Sequence, residues 1–423
     1  MSARTLLGLS ALLFLTTGCD LEVDKEDGGD TGSTATTDDD SGEGEGEGEG
    51  EGEGEGEGEG EGEGEGEGET DPDADGDGYA ASVDCDDADP TIHPGAIETC
   101  GDPDLNCDGA AAGDVIWTDT AGVQTDLTAD FSGTSAAPSS WTSAEDGGLL
   151  FCSGTYYAQL DLKHDVSITT DDPWTTTLDA GGSGRVVAAY TGGTTIHISG
   201  VNLQNGSASY GGGLMCDGNT VLLDNLSVRY NTVSGTGGGI DASDCDLSLH
   251  TVEVLGNYAF DEGGGIRFDS SSIASATHTL TINTADIREN ECEDGTGGGI
   301  DVAAYTGKPL VVDLDNIGFY DNEGKYGGGM QVYGDVAVSI DNADFYGNHG
   351  TSYAGGLLID AYQSSGENPV VGMTGVNWGT DGSSHDNTPD DLILAGTGTA
   401  TWEVYNLDDG VDMDCTESGC STP

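Results

Sequence analysis

The chain reads as an all-β protein built as a parallel β-helix, a solenoid, and three observations predict this. First, one phrase recurs six times: an Asn, then a glycine cluster, then an aliphatic residue. It runs from Asn205 with Gly211-Gly212-Gly213-Leu214 to Asn348 with Ala354-Gly355-Gly356-Leu357, passing through Asn231, Asn257, Asn290 and Asn322. The steps of 26, 26, 33, 32 and 26 residues fall in the range of roughly 20–50 that marks a solenoid. Second, Gly-Gly-Gly in nearly every repeat opposes helix. Third, short alternating segments lie between the clusters, such as Val221-Leu222-Leu223, Leu280-Thr281-Ile282 and Val336 to Ile340. Period two in runs this short is strand.

The roles of the repeated residues follow. Inward aliphatics of successive coils stack into one core. The Asn recurs at one turn, where amides can bond from coil to coil as a ladder. The glycines allow positive φ and close backbone approach at one corner. The longer steps bracket loops at Asp269–Thr277 and Ala303–Pro309, which should bulge from one side of the rod.

Phe319-Tyr320-Asp321-Asn322 and Phe345-Tyr346-Gly347-Asn348 match the Phe-x-x-Asn half of the polymorphic outer membrane protein repeat. The Gly-Gly-Gly-Ile clusters resemble that family's Gly-Gly-Ala-Ile half. The resemblance covers about residues 200–360 and implies a right-handed parallel β-helix on a cell surface. Gly replaces Ala here, only two repeats carry Phe, and no C-terminal membrane barrel follows, so the family's mode of display does not carry over.

Charge excludes some functions. Nine Lys plus Arg against 80 Asp plus Glu give a formal charge of −71. Such a chain will not bind nucleic acid or an anionic membrane by charge, whereas it suits divalent cations. Residues 1–18 read as an export signal, with Arg4 ahead of a short apolar run from Leu6 to Leu15, too short for a span. Leu15-Thr16-Thr17-Gly18-Cys19 resembles the lipobox of bacterial lipoproteins, with Thr in place of the usual Leu. The resemblance implies lipidation of Cys19 and a membrane anchor that does not span. The expected location is the outer membrane or cell surface.

Residues 19–70 are expected to be a disordered acidic linker. The Glu-Gly alternation from Glu43 to Glu69 holds 14 Glu and nothing to bury,. Fully extended, it reaches ~90 Å at ~3.3 Å per residue.

Residues 71–114 carry the sharpest chemical signal. Asp73, Asp75 and Asp77, then Gly78, Tyr79 and Asp84, occupy positions 1, 3, 5, 6, 7 and 12 of a calcium loop. The four carboxylates and the Tyr79 carbonyl are the predicted ligands. A second cluster of candidate metal ligands is Asp86, Asp87, Asp89, Asp104, Asn106 and Asp108. The run from Asp73 to Gly109, with Asp84-Cys85-Asp86-Asp87, Pro94-Gly95-Ala96-Ile97-Glu98-Thr99-Cys100 and Asn106-Cys107-Asp108-Gly109, resembles a metal-binding motif of extracellular bacterial proteins. That resemblance implies a metal without saying which. Oxygen ligands point to calcium; copper or another divalent metal is the alternative, with His93 the one imidazole in the segment to support it. Cys85, Cys100 and Cys107 lack zinc-site spacing, and three cysteines leave one over.

Residues 115–410 are expected to form the β-helix. It opens through Leu149–Tyr156, Leu160-Asp161-Leu162 and Val166-Ser167-Ile168, with Asp119–Trp141 as its cap,. The Gly154-Thr155-Tyr156 start resembles that of pectate-lyase-like β-helices. Trp378-Gly379, Asp386 to Asp391 and Trp402-Glu403-Val404 read as a last coil and cap. Cys216 with Cys245 and, in the 411–423 tail, Cys415 with Cys420 are candidate disulfides. Asp241 and Asp301 directly follow the Gly-Gly-Gly-Ile phrase, and Arg267 fills the same slot.

The resulting expectation is a lipid-anchored bacterial surface protein. Its calcium module carries a β-helix used for adhesion or for binding a glycan or a surface partner. The alternatives are a polysaccharide lyase or hydrolase on the same scaffold, or a structural surface-layer component. No residue is assigned to catalysis: nucleophile elbow, zincin helix and phosphate loop are all missing, and the question of enzymatic activity stays open, leaning to no.

Overall fold

The computed structural model describes residues 72–270, 276–305, 309–360, 369–379, 386–395, 401–404 and 413–415. The expected signal, the lipidation site Cys19, the linker, residues 271–275 and 306–308 of the two expected loops, and Cys420 of the expected Cys415–Cys420 bridge lie outside them.

One coil shows the plan. The strand Thr220–Arg229 carries an alternating burial pattern, with Val221 and Leu223 inside. It bends at Asn225, where φ is 53°, and continues on a second face with Leu226 and Val228 inside. A turn at Asn231 leads through the two-residue strand Thr232–Val233 and the glycine cluster to Ile240–Ser243 on the third face. The chain then begins the next coil at Asp246. On the first face, nine consecutive parallel pairings join ten strands, from Gly147–Phe151 to Thr401–Val404. The molecule is a parallel β-helix.

The core is the stack of inward residues. Leu223, Leu249, Ile282, Leu314 and Ile340 lie in register on five successive coils, and none is more than 1% exposed. Each such burial removes apolar area worth about 1.5–3 kcal/mol. Toward the C-terminal end the stack turns aromatic: the Phe319 and Phe345 rings lie 4.4 Å apart and nearly parallel, with Trp378 next at 4.8 Å.

The Asn turn is a closed hydrogen-bond ladder. The Oδ1 of Asn257 accepts from both the backbone N–H and the Nδ2 of Asn231, each at 3.0 Å. The Asn257 Nδ2 donates to Asn290 Oδ1 and to the Val228 carbonyl. The pattern repeats through Asn290, Asn322 and Asn348. Its members differ in one place from the sequence expectation at each end. Asn205 is not a rung. Its register partner is Tyr230, one past the Gln204–Arg229 pair, and the rung position belongs to Gly206, whose N–H donates to Asn231 Oδ1. That coil is one residue short, so equal spacing misplaced the rung. Asn387 is a rung, 2% exposed and accepting from Asn348, and the 39-residue step to it hid it.

The glycine clusters act in two ways. The first glycine of five clusters has φ between 54° and 70°, where a Cβ is strained. The second and third face the next coil so closely that a Cβ on Gly238 would sit 2.2 Å from the Gly264 carbonyl oxygen. Ala354 stands first in the sixth cluster, and the backbone there is not left-handed.

The N-terminal end is closed by a different device. Val115–Asp119 pairs antiparallel with both Gln124–Asp126 and Gly147–Phe151, so it covers the terminal strand of the first face. Phe131 sets its edge against Phe151 at 5.0 Å and Trp141 packs on Trp117 at 5.6 Å. These rings seal the mouth of the core, and two of them, Phe131 and Trp141, come from the Asp119–Trp141 stretch read as a cap.

Candidate metal centre

The loop from Asp73 folds through its own carboxylates. Asp73 accepts from the N–H of Gly76 at 2.7 Å through Oδ1 and from that of Gly78 at 3.2 Å through Oδ2. Asp75 Oδ1 accepts from Asp77 N–H, and Asp77 Oδ1 from Tyr79 N–H. Asp84 Oδ1 accepts from Asp86 N–H at 2.9 Å. Gly78 turns the chain at φ 101°, which only glycine adopts without strain. One oxygen on each of Asp75, Asp77 and Asp84 is thereby spent on the loop itself.

The other oxygen on each is the informative one. Asp75 Oδ2, Asp77 Oδ2 and Asp84 Oδ2 are sealed from solvent and have no hydrogen-bond partner. Asp84 is 8% exposed. Oxygens of Asp73, Asp75 and Asp77 lie within 4.8 Å of one another. Loss of solvent, with the charges of Asp77, Asp84 and Asp73 added, holds the Asp75 carboxyl above its usual range. Sealed, unpaired carboxylate oxygens cost several kcal/mol unless something cationic meets them. The donor set fits a hard cation held by oxygen.

The second cluster divides. Asp104, Asn106 and Asp108 form a loop of the same design: Asp104 Oδ2 accepts from Gly109 N–H, Asn106 Oδ1 from Asp108 N–H, and Asp108 Oδ1 from Ala110 N–H, each at 2.9 Å. Asp104 Oδ1 is sealed without a partner. The other three are engaged or exposed elsewhere. Asp87 takes the Ala74 N–H, and Asp89 takes the Thr91 hydroxyl and N–H, which hold it low. Asp86 faces solvent.

His93 stacks on the Tyr79 ring at 4.9 Å, with its Nδ1 3.2 Å from the Pro94 carbonyl oxygen. Cys85 and Cys107 sit beside Asp84, yet they are bonded to each other and offer no thiolate. The leftover cysteine is Cys100, which pairs with Cys152 on the first coil. Sequence reading overlooked this bridge because Cys152 lies outside the Cys-rich run. Glu98, quoted in the motif run without a role of its own, is 6% exposed. Glu98 Oε1 accepts from Leu105 and Asn106 N–H, and the Glu98 backbone exchanges two bonds with the Gln124 side chain in the cap.

The residues that follow the glycine phrase lie elsewhere, stacked in one row as Asp241, Arg267 and Asp301. Arg267 bonds Glu262 at 2.7 Å and Asp269 at 3.0 Å. Asp241 and Asp301 are 4% and 2% exposed, too covered for a sugar chain to reach. Burial pushes Asp241 up to about 6, against the Thr236 hydrogen bond and Arg267, and pushes Asp301 up as well, with Glu262 adding to it. Arg185 adds a second cation near Asp241, and burial keeps the nearby Tyr305 phenol neutral. Raised carboxyls bind more protons folded than unfolded, so their contribution is full below about pH 4 and is lost as pH rises, through about 6 for Asp241 and about 7 for Asp301,. Each sheds up to ~1.4 kcal/mol per pH unit in that window. In chemical denaturation between pH 4 and 7, Asp301→Asn is expected to flatten this slope; an unchanged slope refutes the assignment.

Comparison with known families finds one match. Residues 84–112 match the Cu-binding MopE family, described as "Putative metal-binding motif". No curated protein and no solved structure matches the chain. The chain therefore carries a metal-binding motif of that type on a β-helix.

Proposed function

We propose that the protein is an extracellular, lipid-anchored display protein whose terminal module binds calcium and locks the cap of a ligand-binding β-helix. The observation that carries the metal assignment is the set of sealed, unpaired oxygens on Asp75, Asp77 and Asp84. Calcium is favoured over copper because the converging donors are oxygens, the single imidazole is stacked on Tyr79 and the nearby sulfurs form a disulfide,. A bound dication would supply a cross-link among carboxylates that otherwise repel. The loop orients those carboxylates through its own N–H groups. Glu98 and the Cys100–Cys152 bridge pass the order on to the cap.

A binding role is favoured over a calcium-dependent lyase by the fate of the basic residues. Lyase chemistry needs an unengaged Arg or Lys as base. Among the described residues of the rod, Lys163, Arg267, Arg288 and Lys325 are paired with carboxylates. Arg185 donates to backbone carbonyls and Arg229 to Gln204.

The test is calorimetric titration of the chain with calcium, magnesium and copper, alongside thermal unfolding. Calcium at a hundred times its dissociation constant is expected to stabilise the fold by about 2.7 kcal/mol, and Asp75→Ala and Asp77→Ala to abolish both heat and stabilisation. Calcium binding that survives both substitutions, or tight copper binding that depends on His93, would overturn the assignment.

A further inference from the structure

The second face carries a hollow of about 450 Å³, within the range of small-ligand sites. Its shape follows from the register. Glu253, Asp286, Gly318 and Asp344 stand side by side on four successive coils, spanning about 14 Å at ~4.8 Å per coil. Three are carboxylates and one is a gap. Tyr320 fills the gap: a Cβ on Gly318 would lie 2.2 Å from its ring. The missing side chain makes room for the edge of that ring and its hydroxyl above Gly318, in the row between Asp286 and Asp344. The Tyr320 hydroxyl donates to Asp344 Oδ2 at 3.4 Å, and Arg288 Nε donates to Glu253 Oε1 at 3.0 Å.

The opposite wall is the bend of the coil, where Thr284, Asn316 and Asn342 repeat the left-handed conformation with φ of 64°, 56° and 53°. Their side chains add hydroxyl and amide groups along the groove. Trp174, from an earlier coil, lines the groove as well. It is 45% exposed and sits at φ 72°, a conformation costly for a bulky residue and typical of places held for function.

This lining selects among ligands. A polyanion meets three carboxylates and a guanidinium already bonded to Glu253. A bare cation would draw its oxygens to one point, whereas these are spread along the rod and two are engaged. A sugar ring fits each part: an apolar face for a flat aromatic ring, and rim hydroxyls for acceptors and amides on either side. We propose that this groove binds a neutral, hydroxyl-rich glycan, with one sugar ring stacked on Tyr320 and neighbouring hydroxyls donating to Asp286 and Asp344. The proposal gives the display reading above its ligand class and rests on that reading; it does not depend on the metal loop.

The test is native affinity electrophoresis of the chain through gels containing dextran, starch, mannan, xylan or, as charged controls, polygalacturonate and chitosan. At least one neutral polymer is expected to retard the protein. Tyr320→Ala and the Asp286→Asn, Asp344→Asn pair are expected to weaken that retardation at least tenfold, with the thermal midpoint and the calcium heat unchanged. Tyr320→Phe, which keeps the platform, should retain most of it. Retardation by none of the neutral polymers, by polygalacturonate or chitosan alone, or equally in Tyr320→Ala, overturns the proposal. An intact calcium heat in that case shows that the groove assignment failed and the metal assignment did not.

Discussion

Asn290→Ala is expected to destabilise the rod by about 3–5 kcal/mol, more than any surface change. The loss is not of one bond. Without the Asn290 side chain, the Asn257 N–H and the Asn257 Nδ2 lose their shared acceptor, and the Val254 carbonyl loses its donor. These groups are buried and water does not reach them; Asn257 and Asn290 are each 1% exposed. An orphaned buried group costs about 1–3 kcal/mol; the Asn257 N–H and the Val254 carbonyl each lose a partner, and Asn257 Nδ2 keeps only the Val228 carbonyl. Because coils contact only their neighbours, the damage should centre on the middle of the rod. Hydrogen exchange is the suitable readout: amides of the coils beside Asn290 should lose protection first, while those near Asn387 keep theirs. Uniform loss along the rod, or a change below 1 kcal/mol, contradicts this account of the ladder.

Removing the Cys100–Cys152 bridge with paired serines is expected to cost about 4 kcal/mol. The figure comes from chain entropy for a loop of its 52-residue separation,. Here the effect falls on the end of the molecule. The bridge holds the metal-loop segment against the first coil, alongside contacts such as Glu98 with Gln124 and the Asp114 carbonyl with the Cys152 N–H. Limited proteolysis should cut the serine variant within residues 101–151 well before the rod. Removing Cys216–Cys245, which spans 29 residues between coils already paired, should leave that cleavage unchanged. Equal susceptibility of the bridged and unbridged proteins would contradict the view that the bridge holds the cap.

What the sequence disclosed depended on distance along the chain. The loop at Asp73 to Asp84 is contiguous, so its spacing alone announced carboxylates at alternate positions, and the structure brings those of Asp73, Asp75 and Asp77 together. The β-helix was legible because each coil repeats the same physical demands: an amide at the turn, glycine at the tight corner, an aliphatic residue behind it. Legibility failed where a coil changed length. One residue fewer made Asn205 look like a rung, and a long insertion concealed Asn387. Cys152 was not linked to Cys100 for a similar reason, since nothing in a strand sequence reveals which edge a module folds back upon. The groove was the least legible feature. Glu253, Asp286, Gly318 and Asp344 sit 26 to 33 residues apart, and they form a row only once the register of four coils is known.

The placement of the two N-terminal disulfides has a mechanical consequence. A pull arriving through residue 72 meets Cys85–Cys107 and then Cys100–Cys152. The second bridge is a covalent shortcut from the module to the first coil, so tension bypasses residues 108–151. The antiparallel cap strands and their aromatic plug are thus off the force path. Load enters the rod at Cys152, next to the strand Gly147–Phe151, whose bonds to the neighbouring coil belong to a ladder of ten strands. Under oxidising conditions the cap is a shielded passenger; once the bridge is reduced, the same pull would peel it open strand by strand.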